Sequence, residues 1–259
     1  HVISLSGDKA LSAYTIHDAK AFRDALKARG AAPTTIKRNF AVVRSIWNLS
    51  AREHGINKPS PFGNMHYGSG AEPVKRMPVP IDSIRLVQSE CVKLDDDIRW
   101  LIALISDTGM RLAEAAGLRL DDVHLEDHIP FVRLEEHASR LLKTTGSRRD
   151  IPLVGSALWA AQRAATKNDG PFLFPRYCST TTCKADYASN TLNKWMKPFV
   201  PDGCVIHSFR HSLRDRLRAC ECPSDIIDQI GGWQAAGIGQ RYGKGYELDV
   251  LYKWLKMIM

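Results

Sequence analysis

Residues 207–242 read HSFRHSLRDRLRACECPSDIIDQIGGWQAAGIGQRY, and the spacing of a few polar side chains within them organises the rest of the chain. His207 and Arg210 stand three apart, on one face of any helix that contains both. Trp233 follows Arg210 by 23 residues, and Tyr242 follows Trp233 by nine. Upstream lie Thr108-Gly109-Met110-Arg111-Leu112-Ala113-Glu114 and a Lys143 set in Leu141-Leu142-Lys143-Thr144-Thr145-Gly146. Two guanidiniums, an imidazole, an indole N–H, an ammonium and a phenol can hold a phosphodiester and break it without a metal. The ester resists attack because its oxygens are negative and its leaving alkoxide is poor. Cations answer the first difficulty and an acid the second.

In order and spacing this set resembles the tyrosine recombinases, or phage integrase family. There an Arg–Lys–His–Arg–His/Trp–Tyr constellation surrounds one DNA phosphate. Arg111 matches the first arginine, and Glu114 the acidic position three residues on. Lys143 matches the lysine of a β-hairpin, His207 and Arg210 the H-x-x-R pair, Trp233 the His/Trp position, and Tyr242 the nucleophile. The resemblance spans nearly the whole chain. It implies a mainly α fold with a small β-sheet, in which a helical core-binding domain precedes a tyrosine recombinase catalytic domain. It also implies duplex DNA as the partner, a homo-tetramer on that DNA with a monomer allowed without it, no cofactor, no metal and a cytoplasmic location. A type IB topoisomerase-like enzyme and a catalytically silent DNA-binding protein are the alternatives.

The residues carry these roles on chemical grounds too. Arginine stays charged and offers a planar fork to two phosphate oxygens, so Arg111 and Arg210 are assigned to the non-bridging oxygens. Tyr242 is the expected nucleophile, leaving a 3′-phosphotyrosyl bond and a 5′-hydroxyl. His207 is expected to take its proton. Tyr246, four residues on, competes with Tyr242 until the spacing from Trp233 is considered. Lys143 is expected to protonate the 5′-oxygen, with Arg148 and Arg149 as neighbouring rivals. Tryptophan at 233 can donate a hydrogen bond but cannot relay a proton, which leaves base duty to His207. Glu114 orients the site or forms a simple helix ion pair. His207 and His211 lack the third ligand of a zinc site, and His211 reads as structural. The glycine pairs around 237–239 and 243–245 match no nucleotide fingerprint and read as turns.

The chain carries 36 Lys/Arg against 28 Asp/Glu, a formal charge of +8. Residues 1–70 hold ten basic and four acidic side chains, so the first quarter of the chain has most of the excess. That asymmetry marks the first segment as the electrostatic grip on an anionic partner. The six cysteines show no paired zinc-knuckle spacing, Cys178-x4-Cys183 and Cys220-x-Cys222 included, and read as reduced thiols. A secretory signal and any long apolar run are absent from the sequence, which argues against a membrane partner. A first residue His1 reads as the start of a fragment.

Thr15-Ile16-His17-Asp18 predicts a capped helix running to about Arg29, with Gly30 as its stop. Pro33 opens a second helix, in which Ile36, Phe40, Val43 and Trp47 form one apolar stripe. Lys37, Arg38, Arg44 and Arg52 fall largely off that stripe, as a solvated basic face or as contacts to the DNA backbone; the first three are the candidate DNA-binding residues. Prolines and glycines through 57–80 predict a break. The expected organisation is a helical domain over 1–72, truncated at its N-terminus, a linker over 73–80 and a catalytic domain over 81–259. In that last region the patterning predicts helices at 81–92, 96–107, 111–117, 157–166, 187–197, 208–219 and 223–230. Strands are predicted at 129–134, 140–143 and 148–153, the last two forming a hairpin across residues 144–147. Leu248, Leu251, Leu255 and Ile258 repeat at helical spacing. This tail covers the protein's own core or, as often in the resembling family, a neighbouring protomer.

Overall fold

A computed structural model of the chain describes residues 1–68, 76–142, 147–233 and 245–259. The chain divides into two compact units, His1–Lys75 and Arg76–Met259.

The first unit is helical: α1 (Val2–Ser6), α2 (Ile16–Ala28) and α3 (Pro33–Glu53). The Thr15 N–H donates to Asp18 Oδ2 at 2.7 Å, satisfying an otherwise orphaned donor where α2 begins. Pro33 occupies the first turn of α3, where its missing N–H costs nothing. The apolar stripe of α3 turns inward: Ile36, Phe40, Trp47 and Ala51 are buried with Phe22, Leu26 and Phe62. Phe22 and Phe40 lie 5.2 Å apart between ring centroids, and Trp47 and Phe62 6.2 Å. Each large ring so buried contributes about 1.5–3 kcal/mol. Lys37, Arg38, Arg44 and Arg52 are all exposed.

The second unit is built around α5 (Asp97–Thr108), whose residues Trp100 to Thr108 are all buried. A helix apolar on every side has to be surrounded. It is wrapped by α4 (Ile81–Leu94), α7 (Gly155–Lys167) and α9 (Ser208–Ala219). Ala157, Ala160, Ala161 and Ala164 line the buried face of α7, and their small size lets it lie close against α5. The short α6 (Leu112–Ala116) follows α5, and α8 (Ala185–Met196) packs on it. β1 (Val123–His124), β2 (Phe131–Leu134) and β3 (Arg149–Pro152) form an antiparallel sheet in that order. In its register Val132 faces Ile151 and Leu134 faces Arg149.

α10 (Ser224–Gly231) and α11 (Leu248–Lys256) complete a second apolar cluster. Leu251, Leu255 and Ile258 are buried there with Leu213, Leu217, Ile226 and Ile230, so the tail covers its own subunit. Arg216 fastens this layer, donating from Nη2 to Asp107 Oδ1 at 3.1 Å and to the Ile258 carbonyl at 2.7 Å.

One predicted strand is corrected. The hairpin expected between 140–143 and 148–153 is replaced by pairing of β3 with β2. Arg140 does not extend a ladder. Its buried guanidinium donates to the carbonyls of Glu135 (2.6 Å) and Gly117 (3.2 Å) and to Asp122 Oδ2 (2.8 Å), pinning a tight turn closed by the His137–Arg140 bridge. The hairpin turn predicted at 144–147 lies outside the described residues except for Ser147. Strand β1 is an element the sequence patterning did not indicate.

Candidate active site

The site begins where α5 ends. Gly109 adopts φ +60°, and a Cβ there would meet Leu213 Cδ2 at 2.5 Å, so glycine both reverses the chain and admits α9. Its carbonyl accepts a hydrogen bond from Arg210 Nη1 at 2.9 Å. Two residues later Arg111 stands at the N-terminus of α6. Its backbone N–H donates to Glu114 Oε2 at 3.0 Å, and its Nη1 donates to Glu114 Oε1 at 2.5 Å and to Ser147 Oγ at 3.1 Å. Its Nη2 reaches the Gly232 carbonyl at 3.3 Å.

Glu114 is buried and serves two arginines, since Arg149 Nη2 donates to its Oε2 at 3.0 Å. Burial pushes this carboxyl up, but Arg149 and then Arg111 outweigh burial and hold it below the ordinary glutamate range. Arg149 also donates to the Ile230 carbonyl (2.9 Å) and the Ser147 carbonyl (2.7 Å). It therefore ties β3, α6 and the end of α10 together.

His207 and Arg210 lie one turn apart at the start of α9. Arg210 is 3% exposed. Its Nη1 is used by Gly109, whereas its Nη2 finds no acceptor among the described residues. Burial and then the charges of Arg111 and Arg149 push this guanidinium down to about 9. Trp233 is clasped between two arginines, with the Arg210 guanidinium 4.3 Å and that of Arg214 4.8 Å from its ring centroid. Asp228 steadies the clasp: its side chain pairs with Arg214 at 3.0 Å and its carbonyl accepts the Trp233 N–H at 2.9 Å. A Cβ on Gly231 would fall 1.8 Å from the indole ring, which explains the glycine there.

His207 is half-buried and edge-on to His211, with ring centroids 5.5 Å apart. Burial, followed by Arg76, His211, Arg210 and Arg111, pushes its pKa down to about 4. It is thus neutral at pH 7, with one ring nitrogen unprotonated. The depressed value has a consequence for stability. An unfolded histidine, near 6.5, binds a proton before the folded one does. His207 therefore costs nothing above about pH 6.5, and stability falls as pH drops toward 4 because the unfolded chain takes up a proton that the folded one does not. Thermal melts of the wild type should therefore decline across that interval more steeply than those of His207→Gln. Parallel curves would show that His207 does not carry the effect.

The structure thus brings Arg111, Glu114, Arg210 and Trp233 around one locus, with His207 one turn along α9 from Arg210. Lys143 and Tyr242 lie outside the described residues. The rival tyrosine, Tyr246, donates its hydroxyl to Asp225 Oδ2 at 2.5 Å, and that bond raises its pKa, the wrong direction for a nucleophile. Arg148 is exposed and pairs with Glu135 at 2.6 Å, while Arg149 is locked inside; neither stands free as a mobile acid. Arg214 and Asp228 are neighbours of the site that sequence reasoning missed, and Arg149, read there only as a rival to Lys143, is instead a buried partner of Glu114. Period-2 alternation, which buries Arg149 with Ile151, was the available signal for Arg149. Among the described residues no group of three or more His, Cys, Asp or Glu is placed to hold a metal, and no helix is long and apolar enough to cross a membrane.

The family model described as the phage integrase family matches residues 85–247. The chain is similar to the Tn1549 transposon integrase solved with circular intermediate DNA. Identity is 18% and the TM-score 0.61, over 95% of this chain and 86% of that one. It is also similar to lambda integrase solved as a tetramer on a Holliday junction, at 16% identity and TM-score 0.64, over 93% of this chain and 67% of that one. At such identities these likenesses establish the fold. No curated protein matches the sequence.

Proposed function

The chain belongs to the phage integrase family, the tyrosine recombinases, and on that premise we propose that it cuts and rejoins DNA strands through a 3′-phosphotyrosyl link made by Tyr242. The observation that carries the reading is the charge around Glu114. Three guanidiniums, those of Arg111, Arg149 and Arg210, gather about a single carboxylate, and one buried N–H of Arg210 has no acceptor among the described residues. Excess buried cation of this kind is costly until an anion arrives. A phosphodiester supplies two non-bridging oxygens, which suit Arg111 and Arg210, with the Trp233 indole N–H as a third donor.

In the proposed step the Tyr242 oxygen attacks phosphorus while its proton passes to neutral His207. The bond to the 5′-oxygen breaks, and Lys143 protonates that oxygen. The ester energy is kept in the tyrosyl bond, so a 5′-hydroxyl from another strand reverses the step without a nucleotide cofactor. Lambda integrase was solved as a tetramer on a Holliday junction. We propose that this chain likewise acts as a homo-tetramer on duplex DNA, exchanging strands in pairs through a Holliday junction. The location is taken as the cytoplasm, where such DNA lies.

Incubation with nicked suicide duplexes from the native attachment region tests the reading. A covalent protein–DNA adduct mapping to Tyr242, followed by products joining two sites, is expected. Plasmid relaxation without joined products points to topoisomerase-like action, and binding with no adduct to a silent DNA-binding protein.

The exposed Lys37, Arg38 and Arg44 of α3 are proposed to contact the DNA backbone. Each phosphate contact contributes about 0.9 to the slope of log affinity against log salt. Replacing all three by alanine should flatten that slope by about 2–3 units and weaken binding similarly on specific and random duplexes. An unchanged slope in fluorescence anisotropy titrations would leave the three as ordinary solvated side chains.

A further inference from the structure

The Cys178-x4-Cys183 pair lies outside the residues assigned to the DNA site, yet the fold brings it together. The two residues face each other across an antiparallel bridge. The Lys184 N–H donates to the Tyr177 carbonyl and the Ser179 N–H to the Thr182 carbonyl, both at 2.8 Å, so the cysteines occupy the non-hydrogen-bonded position between. Facing Cα atoms approach to about 4.5 Å at such a position, inside the range of about 4.4–6.8 Å that a disulfide spans. Both thiols are free and half-buried. They also rest on the helix that Arg111 opens: Cys178 Sγ donates to the Ala116 carbonyl at 2.9 Å, and Cys183 Sγ lies 4.0 Å from the Ala113 carbonyl.

We infer that Cys178 and Cys183 form a reversible thiol–disulfide modification site whose co-substrate is a small-molecule disulfide. The two sulfurs are not equivalent. Cys178 commits its S–H to the Ala116 carbonyl at 2.9 Å, whereas Cys183 Sγ stands 4.0 Å from the Ala113 carbonyl; the proximity of Cys178, and then the positive charge of Arg140, lower the Cys183 pKa against the effect of burial. Cys183 is therefore the attacking thiolate. It attacks one sulfur of the small disulfide, forms a mixed disulfide and releases one thiolate. The Cys178 thiol gives up its proton and attacks the Cys183 sulfur, releasing the second. Two protein thiols become one disulfide while one small disulfide becomes two thiols, so two electrons pass to the small molecule. Oxidation also removes the S–H donor from the Ala116 carbonyl and is felt at the end of α6. Cys91 and Cys222, by contrast, are buried with pKa values pushed up to about 12 and about 11.

The test uses the full folded chain with oxidised glutathione at mildly alkaline pH, an acid quench and peptide mapping without reductant. Both cysteines fall in the tryptic peptide 177–184, so the disulfide reads as loss of two hydrogens from that peptide. The expected result is that loss, reversed by thiol reductant and several-fold faster in the folded chain than in urea. Cys178→Ser should retain a stable glutathione adduct on Cys183, and Cys183→Ser should leave Cys178 unmodified. Two intact thiols in the wild type, equal rates in urea, or an adduct on Cys178 in the Cys183→Ser protein would each overturn the inference.

Discussion

Tyr242→Phe is expected to bind duplex DNA as the wild type does and to form no covalent adduct. The substitution removes one oxygen and keeps the ring. The proposed binding groups are the arginines and the basic face of α3, which the substitution leaves in place, so the affinity should move by no more than about 0.5 kcal/mol, the range of an uncoupled substitution. Strand cutting should fall by more than about a thousandfold, because positioning and charge stabilisation remain while the covalent route is gone. The paired control is Tyr246→Phe, four residues on. Its hydroxyl is committed to Asp225, so its loss should cost about 0.5–1.5 kcal/mol of stability at most and leave cutting intact. Gel analysis of suicide duplexes with each protein separates the two. An adduct surviving in Tyr242→Phe and lost in Tyr246→Phe would reassign the nucleophile and overturn the proposed mechanism.

Much of this was legible because each feature is local in sequence. The Thr15–Asp18 capping box and Pro33 set helix starts through contacts a few residues long. The helix predicted at 208–219 is found at Ser208–Ala219, where Phe209, Leu213 and Leu217, each four residues apart, are buried on one face. What was not legible depends on contacts remote in sequence. Arg140 sits in a stretch with strand-like patterning, yet its side chain is spent on Gly117 and Asp122, about 20 residues away. Pairing of β3 with β2 rather than with its nearer neighbour follows from that turn. Likewise the Trp233 clasp needs Arg214 and Asp228 on two different helices, and the spacing of charged residues along the chain does not announce which arginine stacks on which ring. The ordered motif therefore pointed to a candidate set, of which Arg111, Glu114, Arg210 and Trp233 gather at one locus, while Arg149, which helps hold them in place, lies far from all four in sequence.

Arg149→Met is expected to cause the largest loss of stability of any single change considered, and its neighbour supplies the control. Arg148 and Arg149 are adjacent and chemically identical, but strand alternation sends them to opposite faces. The Arg148 side chain is 73% exposed and that of Arg149 3%. Arg148 pairs with Glu135 in solvent, where an ion pair contributes about 0–1 kcal/mol. Arg149 faces Glu114 inside the protein and also satisfies the carbonyls of Ile230 and Ser147. Methionine fills similar volume but leaves those acceptors without a donor and the carboxylate with Arg111 as its remaining cation. Removing one member of a buried pair costs about 3–5 kcal/mol, or about 6–20 °C in melting temperature for a unit of this size. The deficit should depend on pH with a definite sign. In the wild type the Glu114 pKa is depressed, so its stabilisation is present above the unfolded value, near 4.3, and is lost as pH falls through the folded value. Without Arg149 the folded pKa rises, protonation relieves the unpaired charge, and the gap between the two proteins narrows in acid. Thermal melts of wild type, Arg148→Met and Arg149→Met from pH 4 to 8 measure this directly. Should Arg149→Met melt within about 1 kcal/mol of Arg148→Met at neutral pH, the buried network does not hold Arg111 and α10 together. The charge argument for a phosphate between Arg111 and Arg210 would then lose its structural support.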